Sequence, residues 1–263
     1  MRCGVVYKFK RDKKINGTLF YCFEYFDVLR SVTDAKMYIV DISYADLVFV
    51  KRLFAEKYTT TTDGIVAIRT TDLYRLQLDH TVVLDVHTFT CCKEFFTNTI
   101  HCYSNDTHDM FRYKNDRSVV YYGSYPYQRY DVHSILKLNF GIFRPLAEQG
   151  TSVFIASGTP DIILNKQDTW KRMYDKPLIF KKPADGSGNI FDSIDTVHYV
   201  HTVLDKNNRI IPEAFFYKKH IVIENDPYDK IDSVQLRYDD IQANGLDKYT
   251  LDVNDVMIQA CLK

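Results

Sequence analysis

The sequence predicts an α/β fold built as two Rossmann-like halves, and three observations carry that expectation. Short runs rich in β-branched and aromatic residues alternate with stretches whose apolar positions recur at helical spacing. The alternation breaks at a polar stretch, Asn105 to Arg117, and then restarts. At 263 residues, the chain is long enough for two domains that each bury a core. The expected division is residues 1–115 and 116–263.

In the first half, Met1 to Phe9 reads as a strand, because Cys3, Val5, Val6 and Tyr7 form an apolar run. A basic, glycine-containing loop from Lys8 to Thr18 follows, and Thr18 is placed to cap a helix carrying Leu19, Cys22, Phe23, Phe26 and Leu29. Lys36 to Asp41 is a strand, and Tyr44 to Tyr58, with Leu47, Val48, Lys51, Leu53 and Phe54, a second helix. Gly64 to Ile68, Thr81 to Val86 and Thr99 to Tyr103 complete the strands of this half. Strand, helix, strand, helix in this order favours a parallel sheet with crossover helices.

In the second half, strands are expected at Ser118 to Tyr122, Ser152 to Ser157, Leu178 to Phe180, Thr196 to Thr202 and Lys219 to Glu224. Asp168 to Tyr174 reads as a short helix, and Pro212 marks the first turn of another after Asn208. Gly, Ser, Asp and Pro concentrate in the third quarter, at Gly150, Gly158, Pro160 and Pro183 to Gly188, as functional loops do.

Composition excludes several classes. Hydrophobic residues make up 46% and charged residues 26%, so the chain is not disordered. No apolar run approaches the roughly 18 residues that a membrane span requires. Thirty-four basic residues balance thirty-four acidic ones, so any attraction to nucleic acid must be local. Twenty Tyr and 17 Phe against one Trp point to surfaces that stack on rings. No secretory leader pattern opens the chain, and Cys3, Cys22, Cys91, Cys92, Cys102 and Cys261 lack paired CxxC spacing. A reduced cytoplasmic protein without structural zinc is the expectation.

Neither GxGxxG nor GxxxxGK[ST] occurs, which argues against a standard dinucleotide site and a P-loop, and there is no GxSxG elbow. Glycine-containing turns follow strands at two places: Lys8 to Thr18, with Gly17, and the segment Tyr122 to Arg129, with Gly123 and Ser124. Ligands of open α/β sheets bind beyond the carboxyl ends of strands, so both loops are candidates to meet a ligand across an interdomain cleft. A third segment, Asp205 to Phe215, leads a polar loop into the Pro212 helix, so free backbone N–H groups and the positive end of the helix dipole are available to a phosphate. Asp205 and Glu213 bracket this turn and suit sugar and ribose hydroxyls. The plainer alternative is that Glu213 complements the helix N-terminus and Asp205 solvates a turn.

Asp205 and Glu213 have the acid, seven residues, acid spacing of retaining two-Rossmann (GT-B) glycosyltransferases, and "VHTVLDKNNRIIPEAFFYKKHIVIEN" resembles that family's donor segment. "VVYYGSYPYQR" resembles the strand and loop that open its second domain, and "TVVLDVHTF" the first-domain strand ending in a His beside the reacting sugar. The texture is most similar to the bacteriophage glycosyltransferases that modify hydroxymethylcytosine in DNA. The resemblance covers the second half well and the first loosely. It departs from the pattern in having Asp for the first Glu, and Lys218 or Lys219 where a glycine precedes the final strand.

The resemblance implies an N-terminal acceptor domain, a C-terminal nucleotide-sugar domain and transfer from a UDP-sugar. Glu213 then holds the donor ribose, and Asp205 the transferred sugar. Arg129 neutralises the diphosphate, with Gly123 and Ser124 giving close backbone approach and the amides of Asn208, Arg209 and Ile210 helping, and Arg209 is an alternative clamp. Gly17 joins the donor site, and His87 lines the reacting sugar unless it is a core or capping residue. No metal is needed for the bond-breaking step, and a divalent ion is left to assist product release. An inverting enzyme would need a carboxylate base, for which Asp41 and Asp85, at expected strand ends, are candidates. Lys8, Lys10, Arg11, Lys13 and Lys14 form the densest basic cluster, suited to the phosphates of double-stranded acceptor DNA or simply to solvent. A monomer is expected. Two alternatives stay open: the same chemistry on a polysaccharide, lipid or protein, and a non-enzymatic nucleotide- or DNA-binding module.

Overall fold

The computed structural model describes residues 1–10, 16–103, 119–122, 135–157, 166–175, 177–179, 189–200, 208–224 and 233–263. It is α/β and divides into two compact units, Met1–Phe143 with Thr250–Lys263, and Arg144–Tyr249.

The first unit is built on strands β1 (Cys3–Lys8), β2 (Lys36–Val40), β3 (Ile65–Ile68), β4 (His80–Val83), β5 (Thr99–Tyr103) and β6 (Val119–Tyr122). They form one parallel sheet in the order β3-β2-β1-β4-β5-β6. This is the doubly wound dinucleotide-fold order, in which the winding reverses between β1 and β4. Both faces of such a sheet are covered, and β1 accordingly reads as a nearly continuous buried run. Val6, Val83 and Cys102 pack with Phe89 and Cys92 of helix α3 (Val86–Cys92). Helices α1 (Gly17–Arg30) and α2 (Tyr44–Lys57) carry the crossovers β1 to β2 and β2 to β3.

α1 is buried almost all round, from Leu19 to Leu29. Its Phe23 stacks on Phe54 of α2 with ring centroids 4.2 Å apart, and Tyr58 lies 5.1 Å from Phe23 and 5.4 Å from Phe143. These aromatics form core rather than the ring-stacking surface that composition suggests. The burial of Glu24 in the same layer is balanced by the Tyr58 hydroxyl and by the Asn139 backbone N–H at 3.3 Å.

The expected division at 115/116 is displaced, for two reasons. Strand β6 pairs in parallel with β5 and so belongs to the first sheet. The C-terminal segment also returns to this unit: Leu251 N–H donates to the Leu138 carbonyl at 2.7 Å, and Lys137 pairs with Asp255 at 3.2 Å. Asp255 caps a last helix, Val256–Cys261, that packs near α1.

In the second unit, β7 (Ser152–Ser157), β8 (Pro177–Ile179), β9 (Ile194–Val200) and β10 (His220–Glu224) form a parallel sheet in the order β10-β9-β7-β8. Here the winding reverses between β7 and β9. Gly150 enters this sheet against the chain that starts β9; a Cβ there would lie 1.9 Å from the Ser193 carbonyl carbon. Helix α4 (Gln167–Met173) seats Trp170 on Ile155 and Val200. Helices α5 (Ile210–Phe216) and α6 (Ser233–Asn244) pack on each other. Among the described residues no helix is long and apolar enough to cross a membrane.

Candidate functional site

In the first unit the candidate residues gather beyond the carboxyl ends of β1, β2 and β4, around the point where the winding reverses. The helix cap is Asn16, not Thr18: its carboxamide oxygen accepts from Leu19 N–H at 3.1 Å and lies 3.2 Å from the Tyr7 hydroxyl. Gly17 is the first helical residue behind it.

The Lys8 ammonium pairs with Asp41 and donates to Thr70 Oγ1 at 3.0 Å. Asp41 has a left-handed backbone, φ 53°, at which the chain leaves β2. It also accepts from the Thr70 backbone N–H at 2.9 Å and the Thr70 hydroxyl at 2.7 Å. Partial burial pushes the Asp41 carboxyl up, but the Lys8 and Thr70 hydrogen bonds outweigh it and hold the group at about 2. A carboxylate that weakly basic, with this many donors on it, is a poor proton acceptor. Lys8 is likewise committed within the protein. Of the other residues in the basic cluster, Lys10 is partly exposed, and Arg11, Lys13 and Lys14 lie outside the described residues.

Asp85 also departs from expectation. β4 ends at Val83, and Asp85 caps α3, accepting from Thr88 N–H at 2.8 Å and the Thr88 hydroxyl at 2.6 Å. Thr88 Oγ1 in turn accepts from the Lys8 backbone N–H at 2.9 Å, which ties the α3 cap to the end of β1. His87 therefore stands in the first turn of a helix rather than at a strand end. Its Nδ1 is 3.9 Å from Cys91 Sγ one turn later.

In the second unit the Asn208 side chain caps α5 by accepting from Ile211 N–H at 3.0 Å. Its backbone carbonyl accepts from Arg237, a fully buried arginine of α6 that lies over the Tyr249 ring. Arg209 Nε donates to Glu213 Oε1 at 2.6 Å, and Glu213 is 2% exposed. The pair matches the plainer reading, in which Glu213 completes the first turn, more closely than a carboxylate presented to ribose. Ile210 opens the helix. Past its end, Lys218 takes the left-handed conformation, φ 54°, with Lys219 N–H bonded to Ala214 and Lys218 N–H to Phe215. That is a glycine-type helix stop made with a lysine. Gly123, Ser124, Arg129 and Asp205 lie outside the described residues.

Sequence reasoning missed two cross-strand histidine networks. In the first unit His80 Nδ1 and His101 Nε2 are 2.9 Å apart, and His101 Nδ1 is 2.9 Å from the Tyr122 hydroxyl. Burial, reinforced by His80, lowers His101 to about 4, so its imidazole is neutral at pH 7. In the second unit His198 lies between Tyr174 and Glu224. Among the described residues no group of three or more His, Cys, Asp or Glu side chains is placed to hold a metal ion. Compared with protein-family models, curated proteins and solved structures, the chain matches none.

Proposed function

We propose that the chain is a nucleotide-sugar-dependent glycosyltransferase of the two-Rossmann type. It moves a sugar, with retention, from a UDP-sugar to hydroxymethylcytosine, or to its already glycosylated form, in phage DNA. The observation that carries the reading is the pair of parallel sheets, each with a reversal of winding beside its first strand. Ligands of open α/β sheets bind at such reversals, and two of them in one chain suit a reaction with two substrates. The acid, seven residues, acid spacing of Asp205 and Glu213 adds the sugar chemistry.

In this reading the bond between the sugar and the diphosphate breaks, and the charge left on the nucleotide is met by fixed cations. Arg129 and Arg209 supply them, and Glu213 serves by fixing the Arg209 guanidinium, to which it is bonded. Asp205 holds the transferred sugar. The acceptor belongs to the first unit, with Lys10 and the basic residues that follow it in sequence on the DNA phosphates, and His87 beside the reacting centre.

The test is direct. The protein is incubated with hydroxymethylcytosine duplex, glucosylated duplex and plain duplex, each with a panel of UDP-sugars, and the nucleosides are weighed by mass spectrometry. A sugar-sized gain on a modified duplex is the expected result. UDP-sugar binding with no change in any duplex moves the acceptor to a polysaccharide, lipid or protein; no binding of any nucleotide sugar refutes the reading.

A further inference from the structure

The second unit contains a hydrogen-bonded chain of three titratable side chains that no role above uses. The Tyr174 hydroxyl, just past the end of α4, lies 2.6 Å from His198 Nδ1 on β9. His198 Nε2 lies 3.2 Å from Glu224 Oε2 at the end of β10. Chemistry fixes the protons: Nε2 faces a carboxylate and carries the hydrogen, so Nδ1 is the acceptor for the phenol. A hydroxyl, a base and a carboxylate that orients the base are the three parts of an activated nucleophile, and both contacts are within hydrogen-bond reach.

The surroundings fit that use. His198 is 3% exposed, whereas Tyr174 is partly exposed, so the chain runs from a shielded base to a hydroxyl near the surface. Burial and the Glu224 charge push the Tyr174 phenol up, so it stays protonated and depends on His198 to take its proton. Burial pushes the imidazole towards its neutral, proton-accepting form, and Glu224 opposes this. The Trp170 indole meets the imidazole edge to face with ring centroids 5.1 Å apart, and its buried Nε1–H has no acceptor among the described residues. Lys166 lies 3.8 Å from the second Glu224 oxygen, and two further cations stand exposed on α4: Lys171, 3.7 Å from Asp168, and Arg172, whose Nε donates to the Asp168 carbonyl at 3.2 Å.

We propose that Tyr174 is an activated phenol, a covalent acceptor for an electrophile of the activated-phosphoryl class. The phenol oxygen forms a bond to phosphorus as the bond from phosphorus to the leaving group breaks, and the leaving group departs with that electron pair. The phenolic proton passes to His198 Nδ1, and Glu224 stabilises the resulting imidazolium. This site is independent of the glycosyltransferase reading.

A fluorophosphonate probe, which loses fluoride, tests it on the full-length chain, with modified tyrosines mapped by peptide mass spectrometry. Exposed Tyr44 and Tyr74, at 82% and 58% exposure, are internal references. Tyr174 should react at least tenfold faster than either. Glu224→Gln should slow Tyr174 several-fold, and His198→Phe tenfold or more, with the reference tyrosines unchanged. Tyr174 reacting no faster than Tyr44 overturns the proposal, and so does an unchanged Tyr174 rate in Glu224→Gln. The glutamine variant is decisive if His198→Phe does not fold, because Glu224 is partly exposed.

Discussion

Replacing Arg209 by alanine while Glu213 stays in place should destabilise the second unit by about 3–5 kcal/mol, because it takes the paired guanidinium away from a buried carboxylate. The size follows from the site. Arg209 Nε sits 2.6 Å from Glu213 Oε1, and the two side chains are 12% and 3% exposed, so water cannot replace the lost partner. Glu213→Gln keeps the shape and an acceptor and gives up only the charge, for a loss of about 1–2 kcal/mol. Replacing both at once, as Arg209→Met with Glu213→Leu, removes the buried charge as well as its partner and should recover most of the stability lost in the alanine variant.

Urea unfolding followed by far-ultraviolet circular dichroism reads all three. With a slope of about 1–3 kcal/mol per molar for urea, the alanine variant should shift its midpoint by about 1 M or more. An Arg209→Ala midpoint within error of wild type would refute the reasoning. The outcome also governs functional tests. Activity lost in Glu213→Ala carries no message unless the unit is folded, so glutamine is the substitution with which to examine transfer.

The other predictions concern single positions. His101 is held at about 4 against an ordinary value of 6.5, so the unfolded chain takes up its proton first as pH falls. Its contribution, roughly 3 kcal/mol, is present above pH 6.5 and lost as pH falls towards 4; denaturation midpoints of wild type and His101→Phe should converge over that window, and parallel curves would be the contrary result. Lys218→Gly relieves a left-handed lysine and should stabilise the chain by about 1 kcal/mol, read as a higher Tm. Gly150→Ala drives a Cβ into the Ser193 backbone and should cost about 1–3 kcal/mol, with poor soluble expression as the first sign. Asp85→Ala removes the α3 cap and should cost about 1 kcal/mol; a measured loss of glycosyl transfer with no change in stability would restore Asp85 to the chemistry.

What was legible in the sequence divides along a physical line. The runs at 3–8, 36–40 and 99–103 were readable because strands buried on both faces are nearly continuous apolar segments, and that property is local. α3 was not, because VHTFTCC is made of β-branched residues and cysteines with low helix propensity, and its helix is held by the Asp85 cap and by packing on the sheet. The stop after α5 was hidden because a lysine stands where glycine is the usual signal.

The C-terminal return was invisible for a different reason. It rests on pairings such as Lys137 with Asp255, for which no local pattern exists. The histidine networks are of the same kind. Read singly, His101 and His198 are each a lone histidine on an apolar strand, the least informative of signals. Parallel register gives them partners: it sets His101 beside Val120 and Tyr103 beside Tyr122, which brings the Tyr122 hydroxyl within reach of His101, and it sets His198 beside Val222, two residues before Glu224. In a doubly wound protein without a glycine-rich fingerprint, the chemistry is therefore written in strand order and register, and local spacing can reveal it only after those are known.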